Sequence, residues 1–261
     1  VTPATTAALV EALVELAHRA GEEILEVYAS DAEAARKSDG SPVTEADTRA
    51  ERVILDGLSD LTPDTPVVAE EQAAAGTVPD VSGGSFWLVD PLDGTKEFLS
   101  RNGEFTVNIA LVEDGVPVLG VVHLPALGST YIGTPEGAVR HDADGEHVLR
   151  VRPVPADGYD VLTSRSHSDQ ATEDFLSSIT VRERISAGSS LKLCRVAEGA
   201  ADLYPRMGRT MEWDIAAGHA VVLASGGVVC RLDGEPLRYG KDGFDNPAFV
   251  AYGSARPPLT G

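Results

Sequence analysis

Trp87-Leu88-Val89-Asp90-Pro91-Leu92-Asp93-Gly94-Thr95-Lys96-Glu97-Phe98 is the stretch whose reading decides the fold. Phe86 to Val89 is a short apolar run, the pattern of a buried strand. The strand is expected to end on Asp90, because Pro91 has no N–H to give to a ladder. Asp93 follows three residues after Asp90. Gly94 frees the backbone for a tight turn, and Thr95 can start a helix. Two carboxylates meeting at a strand end, beside free N–H groups, can hold hard cations and a phosphate together.

Upstream, Thr5 or Thr6 can cap a helix whose Leu9, Leu13, Leu16, Ala20, Ile24 and Val27 recur at three- and four-residue steps. Lys37 to Pro42 reads as a loop or hairpin turn. Val43-Thr44 leads into a second helix burying Ala46, Ala50, Val53, Ile54, Leu58 and Leu61, and Thr62-Pro63 ends it. Val67 to Ala69 is a strand ending on Glu70-Glu71, and residues 72–85 read as a flexible loop. Downstream, Phe105 to Val112 and Val116 to His123 predict two strands joined by the turn Glu113-Asp114-Gly115. Tyr131 to Gly133 and Val148 to Val151 suggest further strands.

Pro153 to Gly158 is the expected subdomain boundary. It divides the chain into an α+β unit, 1–152, and an α/β unit, 153–261. In the second unit, strands at 161–162, 181–186, 202–204 and 228–231 alternate with helices at 169–179, 189–200 and 214–225. Phe249 to Tyr252 is expected to close that sheet. Such alternation argues layered α/β structure.

The 261 residues supply ample core for one large domain or two intimate subdomains. No run approaches 18 apolar residues, so no transmembrane helix is expected, and no signal peptide is evident. Cys194 and Cys230 are the only cysteines, which points to a reducing cytoplasm rather than a disulfide framework. The net charge of −20 opposes binding to polymeric nucleic acid. It would also repel an anionic small substrate unless divalent cations offset it locally. Lysine occurs only at 37, 96, 192 and 241, so arginine is the routine cation and a lysine within a motif is notable. No Gly-x-x-x-x-Gly-Lys-Ser/Thr loop is present, which argues against an NTPase.

Glu70, Asp90, Asp93 and Asp214 all stand at the ends of predicted elements. Open α/β sheets bind ligands beyond the carboxyl ends of their strands. Acids gathered there without a His or Cys cluster suit Mg²⁺ rather than zinc. Two ions sharing Asp90 would sit roughly 3.5–4 Å apart and could clamp attacking and leaving oxygens. Taken singly, each acid has a blander explanation. Asp214 could cap its helix, Asp47 fits a Thr44-x-x-Asp47 capping box, and Glu70-Glu71 could be a solvated loop edge. The isolated histidines 18, 123, 141, 147 and 219 carry no assigned role.

Val43-Thr44-x-x-Asp47, Glu70-Glu71, Asp90-Pro-Leu-Asp-Gly-Thr95 and Trp213-Asp214-Ile-Ala-Ala-Gly218 resemble the signatures of the inositol monophosphatase superfamily. They run from residue 43 to 218, nearly the whole chain. Lys96-Glu97-Phe98, Arg101 to Asn108, and Gly188-Ser-Ser-Leu-Lys192 with Glu212-Trp213-Asp214 are similar to the bacterial CysQ type, the 3'(2'),5'-bisphosphate nucleotidases. That resemblance implies a layered αβαβα sandwich.

It also implies a metal site. One Mg²⁺ would take Glu70, Asp90 and the Leu92 carbonyl; a second, Asp90, Asp93 and Asp214; a third would sit near Glu70 through water. Asp47 and Thr95 would form the dyad that accepts a proton from water. Backbone N–H groups at Gly94 and Thr95 would cradle the phosphate, with Asp93 and Asp214 bordering it. His167, Ser189, Lys192 and Arg206 match residues that hold the rest of a nucleotide. His167 could instead neighbour a helix cap, and Lys192 could be a solvated helix residue. The implied reaction removes the 3'-phosphate of adenosine 3',5'-bisphosphate, the by-product of sulfate assimilation, or that of its sulfated form, in a lithium-sensitive monomer or homodimer. The rival expectations are an inositol or sugar monophosphate phosphatase and a non-catalytic phospho-ligand module.

Overall fold

A computed structural model of the chain describes residues 5–29, 35–36, 42–43, 45–164 and 170–259. The first helix, α1 (Ala7–Ala29), is capped by Thr6, whose Oγ1 accepts the Leu9 N–H at 3.2 Å. Its apolar stripe buries Leu13, Leu16, Ala20, Ile24 and Val27. Two short strands, β1 (Ala35–Arg36) and β2 (Pro42–Val43), pair antiparallel. They flank the expected turn, whose residues 37–41 lie outside the described ones, as does Thr44 of the proposed capping box. Helix α2 (Glu45–Leu61) follows and packs beside α1. Its buried face includes two acids, Asp47 and Glu51, whereas Leu61 is exposed.

Next come β3 (Val67–Ala69), α3 (Glu70–Ala74), β4 (Ser85–Asp93), α4 (Thr95–Leu99), β5 (Thr106–Glu113), β6 (Val116–Leu124), β7 (Ser129–Thr134), β8 (Gly137–Asp142) and β9 (Gly145–Val148). The seven strands β3 to β9 form one sheet in chain order, antiparallel except for the parallel pair β3–β4. Three sequence expectations are corrected here. Residues 70–74 form a helix, so 72–74 do not belong to the loop expected over 72–85, and Glu51 accepts the Glu71 N–H in the helix's first turn. The strand expected at 148–151 is β9 at 145–148, preceded by an unforeseen strand, β8. Pro91 does not end β4 either. The register steps three residues from Asp90 to Asp93 against two from Asn108 to Thr106, so the strand absorbs the proline in a bulge.

The remaining elements are β10 (Tyr159–Ser164), α5 (Gln170–Ser177), β11 (Val181–Ala187), α6 (Leu191–Ala197), β12 (Leu203–Arg206), β13 (Thr210–Met211), α7 (Glu212–Ala224), β14 (Val228–Arg231), β15 (Asp245–Asn246) and β16 (Phe249–Tyr252). Strands 11-10-12-16-14 form a second sheet. The last strand, β16, lies inside it between β12 and β14 and does not close its edge, because both neighbours pair with it antiparallel. The histidines are not isolated: His18 and His123 share the Thr130 hydroxyl at 2.9 Å each, and His219 meets the Tyr239 hydroxyl at 2.8 Å.

Side-chain alternation along the strands builds the layers. On one face of the large sheet Trp87, Val89, Ile109, Leu111 and Val121 pack on α1 and α2. On the other, Phe86, Leu88, Ala110 and Val122 pack on α6 and α7, which also cover Leu162, Tyr204, Phe249 and Ala251 of the second sheet. That sheet's far face sets Val161, Leu203 and Val250 against Phe175 and Leu176 of α5. The order is therefore helix pair, sheet, helix pair, sheet, helix: the αβαβα sandwich expected from the sequence. One core spans both halves of the chain. Each fully buried Leu, Ile or Phe contributes roughly 1.5–3 kcal/mol. Among the described residues no helix is long and apolar enough to cross a membrane.

Helix α7 lies between two sheets and is apolar almost all round, with Ala216, Ala217, Gly218 and Ala220 letting it approach closely. At Gly120 on β6 an added Cβ would stand 2.2 Å from the Ala217 carbonyl oxygen. Gly120→Ala should therefore push α7 off the sheet and lower stability by about 1–3 kcal/mol, as overpacking does. A falling urea midpoint with unchanged m-value checks this; a midpoint equal to the parent's would contradict the contact.

Candidate active site

The bulge in β4 places Asp90 and Asp93 differently. Asp90 is 2% exposed, below the floor of a cleft, and its Oδ1 accepts the Leu92 N–H at 3.0 Å. Asp93 reaches the cleft wall. Gly94 then turns at φ +90°, where a Cβ would meet Glu97 and Ser189 at 3.2 Å. Gly94 occupies the cap position, so Thr95 is the first residue of α4 and not its cap. The cleft encloses about 320 Å³. Glu70, Asp93, Gly94, Thr95, Ser189, Lys192, Arg206 and Asp214 line it. Asp47, also 2% exposed, lies behind them. The Leu92 side chain belongs to the core under α1 and α2. His167 falls outside the described residues.

Electrostatics link these acids. Burial first, then the charges of Glu70, Asp93, Asp214 and Asp47, push the Asp90 carboxyl well above the usual carboxylate range. Burial and then Asp93 do the same to Asp214, against the Met211 N–H that its Oδ2 accepts at 2.9 Å. Asp93 is raised by burial, and the Lys192 ammonium and the Ser189 and Ser190 donors oppose that shift. Among the described residues no three His, Cys, Asp or Glu side chains close on one point tightly enough to hold an ion by themselves. Like charges with no cation between them repel. The side-chain donors are nonetheless carboxylate oxygens, and those of Asp90, Asp93 and Asp214 are disfavoured as anions until a positive charge joins them. That set fits a hard divalent cation and does not fit zinc.

Two basic side chains line the same cleft. Lys192 is 5% exposed, so it is not a solvated helix residue. Its Nζ donates to the carbonyl oxygens of Ser189 at 2.7 Å and Ala187 at 3.3 Å. Burial lowers its pKa to about 8, while Asp93 pulls it back up. Arg206, at the end of β12, donates from Nη2 to the Arg209 carbonyl at 3.1 Å, and its buried Nε has no partner among the described residues.

Sequence reasoning missed the supports behind the ligands. Ser189, the only non-glycine in its loop at positive φ (53°), gives its hydroxyl to Asp93 at 2.7 Å. Glu104 accepts the Gly188 N–H at 2.8 Å. Thr106, Ser190 and Asn108 form a buried polar cluster beside them. On α2, Glu51 Oε2 accepts the Glu71 N–H at 2.8 Å and so braces the turn bearing Glu70. Two of these were legible: Thr106 and Asn108 are polar at alternate positions of an otherwise apolar strand.

A layered sandwich with an acid-rich cleft between its two sheets defines the metal-dependent phosphatase class. Comparison with known proteins narrows this. Residues 6–255 match the family model described as the inositol monophosphatase family. A Salmonella typhimurium protein named 3'(2'),5'-bisphosphate nucleotidase CysQ is 48% identical over 244 residues, 92% of this chain and 98% of that protein. The Escherichia coli (strain K12) protein of the same name is 45% identical over the same length. The crystal structure of CysQ from Bacteroides thetaiotaomicron superposes with a TM-score of 0.80 at 36% identity, covering 97% of this chain and 99% of that one. An inositol monophosphatase from Anabaena gives 0.76 at 25% identity, covering 94% and 90%. The chain belongs to the inositol monophosphatase family.

Glu51 offers a test that needs no metal. Its pKa is raised from 4.5 to about 7, first by burial and then by Glu71 and Glu70, against the N–H donors of residues 71 and 72. A carboxyl with a raised folded pKa holds more protons folded than unfolded, so stability falls as pH rises from about 4.5 to about 7. In chelator, the parent's urea midpoint should fall more steeply across that window than that of Glu51→Gln. Parallel curves would contradict the assignment.

Proposed function

We propose that the protein is a Mg²⁺-dependent phosphomonoesterase that removes the 3'-phosphate of adenosine 3',5'-bisphosphate, leaving adenosine monophosphate and phosphate. The observation that carries the reading is a single cleft lined by both acids and bases. The acids suit cations that bind the phosphate to be cleaved. Lys192 and Arg206 suit a second phosphate. The 45–48% identity to proteins named 3'(2'),5'-bisphosphate nucleotidase supports the same substrate.

Two to three Mg²⁺ ions would be held by Glu70, Asp90, the Leu92 carbonyl, Asp93 and Asp214. When bound, such ions lower the pKa of water and neutralise charge building on the phosphate oxygens. The chain's own residues do the rest. Asp47, with the Thr95 hydroxyl, takes the proton of the attacking water. Backbone N–H groups at Gly94 and Thr95 hold the phosphate oxygens in line for displacement. Arg206, whose Nε lacks a partner among the described residues, donates to the distal phosphate. Lys192 holds the loop at Ser189 in place and adds positive charge, and Ser189 borders the same pocket. His167 is read as a nucleotide contact from its sequence string alone. Most ligands come from residues 1–152, and Asp214, Lys192 and Arg206 come from 153–261, which we read as the two subdomains.

Turnover of adenosine 3',5'-bisphosphate and inositol 1-phosphate in one Mg²⁺-containing assay tests the reading. The bisphosphate should be strongly preferred. Preference for the inositol ester would make the protein an inositol-type phosphatase, and no release from any phosphoester would make it a binding module. Asp90→Asn should lose more than the roughly 10–100-fold that removal of an outer-shell partner costs. Unchanged phosphate release would overturn the metal mechanism.

A further inference from the structure

A run of side-chain hydrogen bonds joins the loop before α6 to the centre of the large sheet. Ser189 Oγ lies 2.7 Å from Asp93 Oδ2 and 2.5 Å from Thr106 Oγ1. Thr106 Oγ1 lies 2.8 Å from Ser190 Oγ, which lies 2.7 Å from Asn108 Oδ1. Thr106, Ser190 and Asn108 are all buried. In this arrangement Asn108 Nδ2 is buried with no partner among the described residues.

Counting protons exposes a conflict. Each hydroxyl has one to give. Ser189 gives its own to Asp93, whose Oδ2 also accepts the Ser190 N–H at 2.6 Å, as a carboxylate oxygen does. Ser190, facing an amide oxygen, gives its own to Asn108. Thr106 then has one proton for two close hydroxyl neighbours that have already spent theirs. One contact is left as oxygen against oxygen. A half-turn of the Asn108 amide, which occupies the same volume either way, removes the conflict. Nδ2 donates to Ser190, Ser190 to Thr106, Thr106 to Ser189, and Ser189 to Asp93. The amide oxygen becomes a lone acceptor, a milder fault in a protein interior than a buried NH₂.

We propose that Asn108 presents Nδ2 to Ser190, that donation runs one way from Asn108 to Asp93, and that Asn108, Ser190, Thr106 and Ser189 are positioning residues for the Asp93 carboxylate. Aligned donors polarise one another, so the last bond onto Asp93 is strengthened. With the Ser190 N–H on the same oxygen, the relay holds Asp93 Oδ2 in a fixed direction. Its links come from β5 and from the loop before α6, so the relay ties Asp93 to both sheets. The positioning role rests on the reading of Asp93 as a metal ligand; the direction of donation does not.

Two measurements test it. Neutron diffraction from a deuterium-exchanged, metal-free crystal should show deuterium on Asn108 Nδ2 facing Ser190, and on Ser190 Oγ facing Thr106. Deuterium on Ser190 Oγ facing Asn108 would overturn the direction, including the variant in which a protonated Asp93 starts the run. Calorimetric Mg²⁺ titration should give about tenfold weaker binding for Thr106→Val, as loss of an outer-shell partner does, and recovery for Thr106→Ser. Unchanged binding in Thr106→Val would overturn the positioning role. If that variant fails to fold, Ser190→Ala should weaken binding in the same direction, and parent-like binding there would count equally against it. If the parent binds no Mg²⁺, the metal reading and the positioning role fail together, while the neutron map still decides the direction.

Discussion

Mutual repulsion among buried carboxylates is the constraint on which the rest of the structure depends. Asp90 sits almost out of reach of water with the charges of Glu70, Asp93, Asp214 and Asp47 acting on it. Two like charges about 4 Å apart at an effective dielectric of 20 repel by about 4 kcal/mol. A domain's whole stability is about 5–15 kcal/mol. Buried carboxylates that raise one another in this way do not all stay ionised without either protons or cations among them. A fold that keeps them there is built for counter-charge to arrive, and one divalent ion answers two carboxylates at once.

The architecture serves that convergence. Glu70 follows the end of β3, Asp90 and Asp93 flank a bulge in β4, and Asp214 lies in the first turn of α7. These elements meet because α7 is pressed between the two sheets through small residues and the Gly120 approach. The second sheet then brings Arg206, and α6 brings Lys192, to the same cleft. An anionic chain thus assembles a local region where phosphate is welcome, with proposed cations and basic side chains together.

Much of this was legible in the sequence. Apolar alternation in β5 and β6 and the three-four spacing in α1 and α2 reflect burial of one face, so they appear directly as pattern. The acids at 70, 90, 93 and 214 were visible because each stands at the end of an expected element. What stayed hidden depended on partners distant in the chain. Pro91 reads locally as a strand end, yet pairing of Asp93 with Thr106 carries the strand past it. Glu51 looks like a solvated helix residue until α3 is placed on it. Lys192 could be a solvated helix residue by sequence, and only the folded chain buries it, with its Nζ 5.4 Å from the centre of the Tyr204 ring. The polar pair Thr106 and Asn108 was quoted as a resemblance without a role, because its meaning lies in Ser189 and Ser190, over eighty residues away.

The account therefore stands on counter-charge entering a preassembled group of acids. Crystals grown with Mn²⁺, a hard ion that scatters anomalously, test it most directly. Anomalous peaks are predicted among Glu70, Asp90, Asp93 and Asp214, with those carboxylates drawn together on them. A map with no peak in the cleft at saturating Mn²⁺, or with peaks only at surface acids elsewhere, would contradict it.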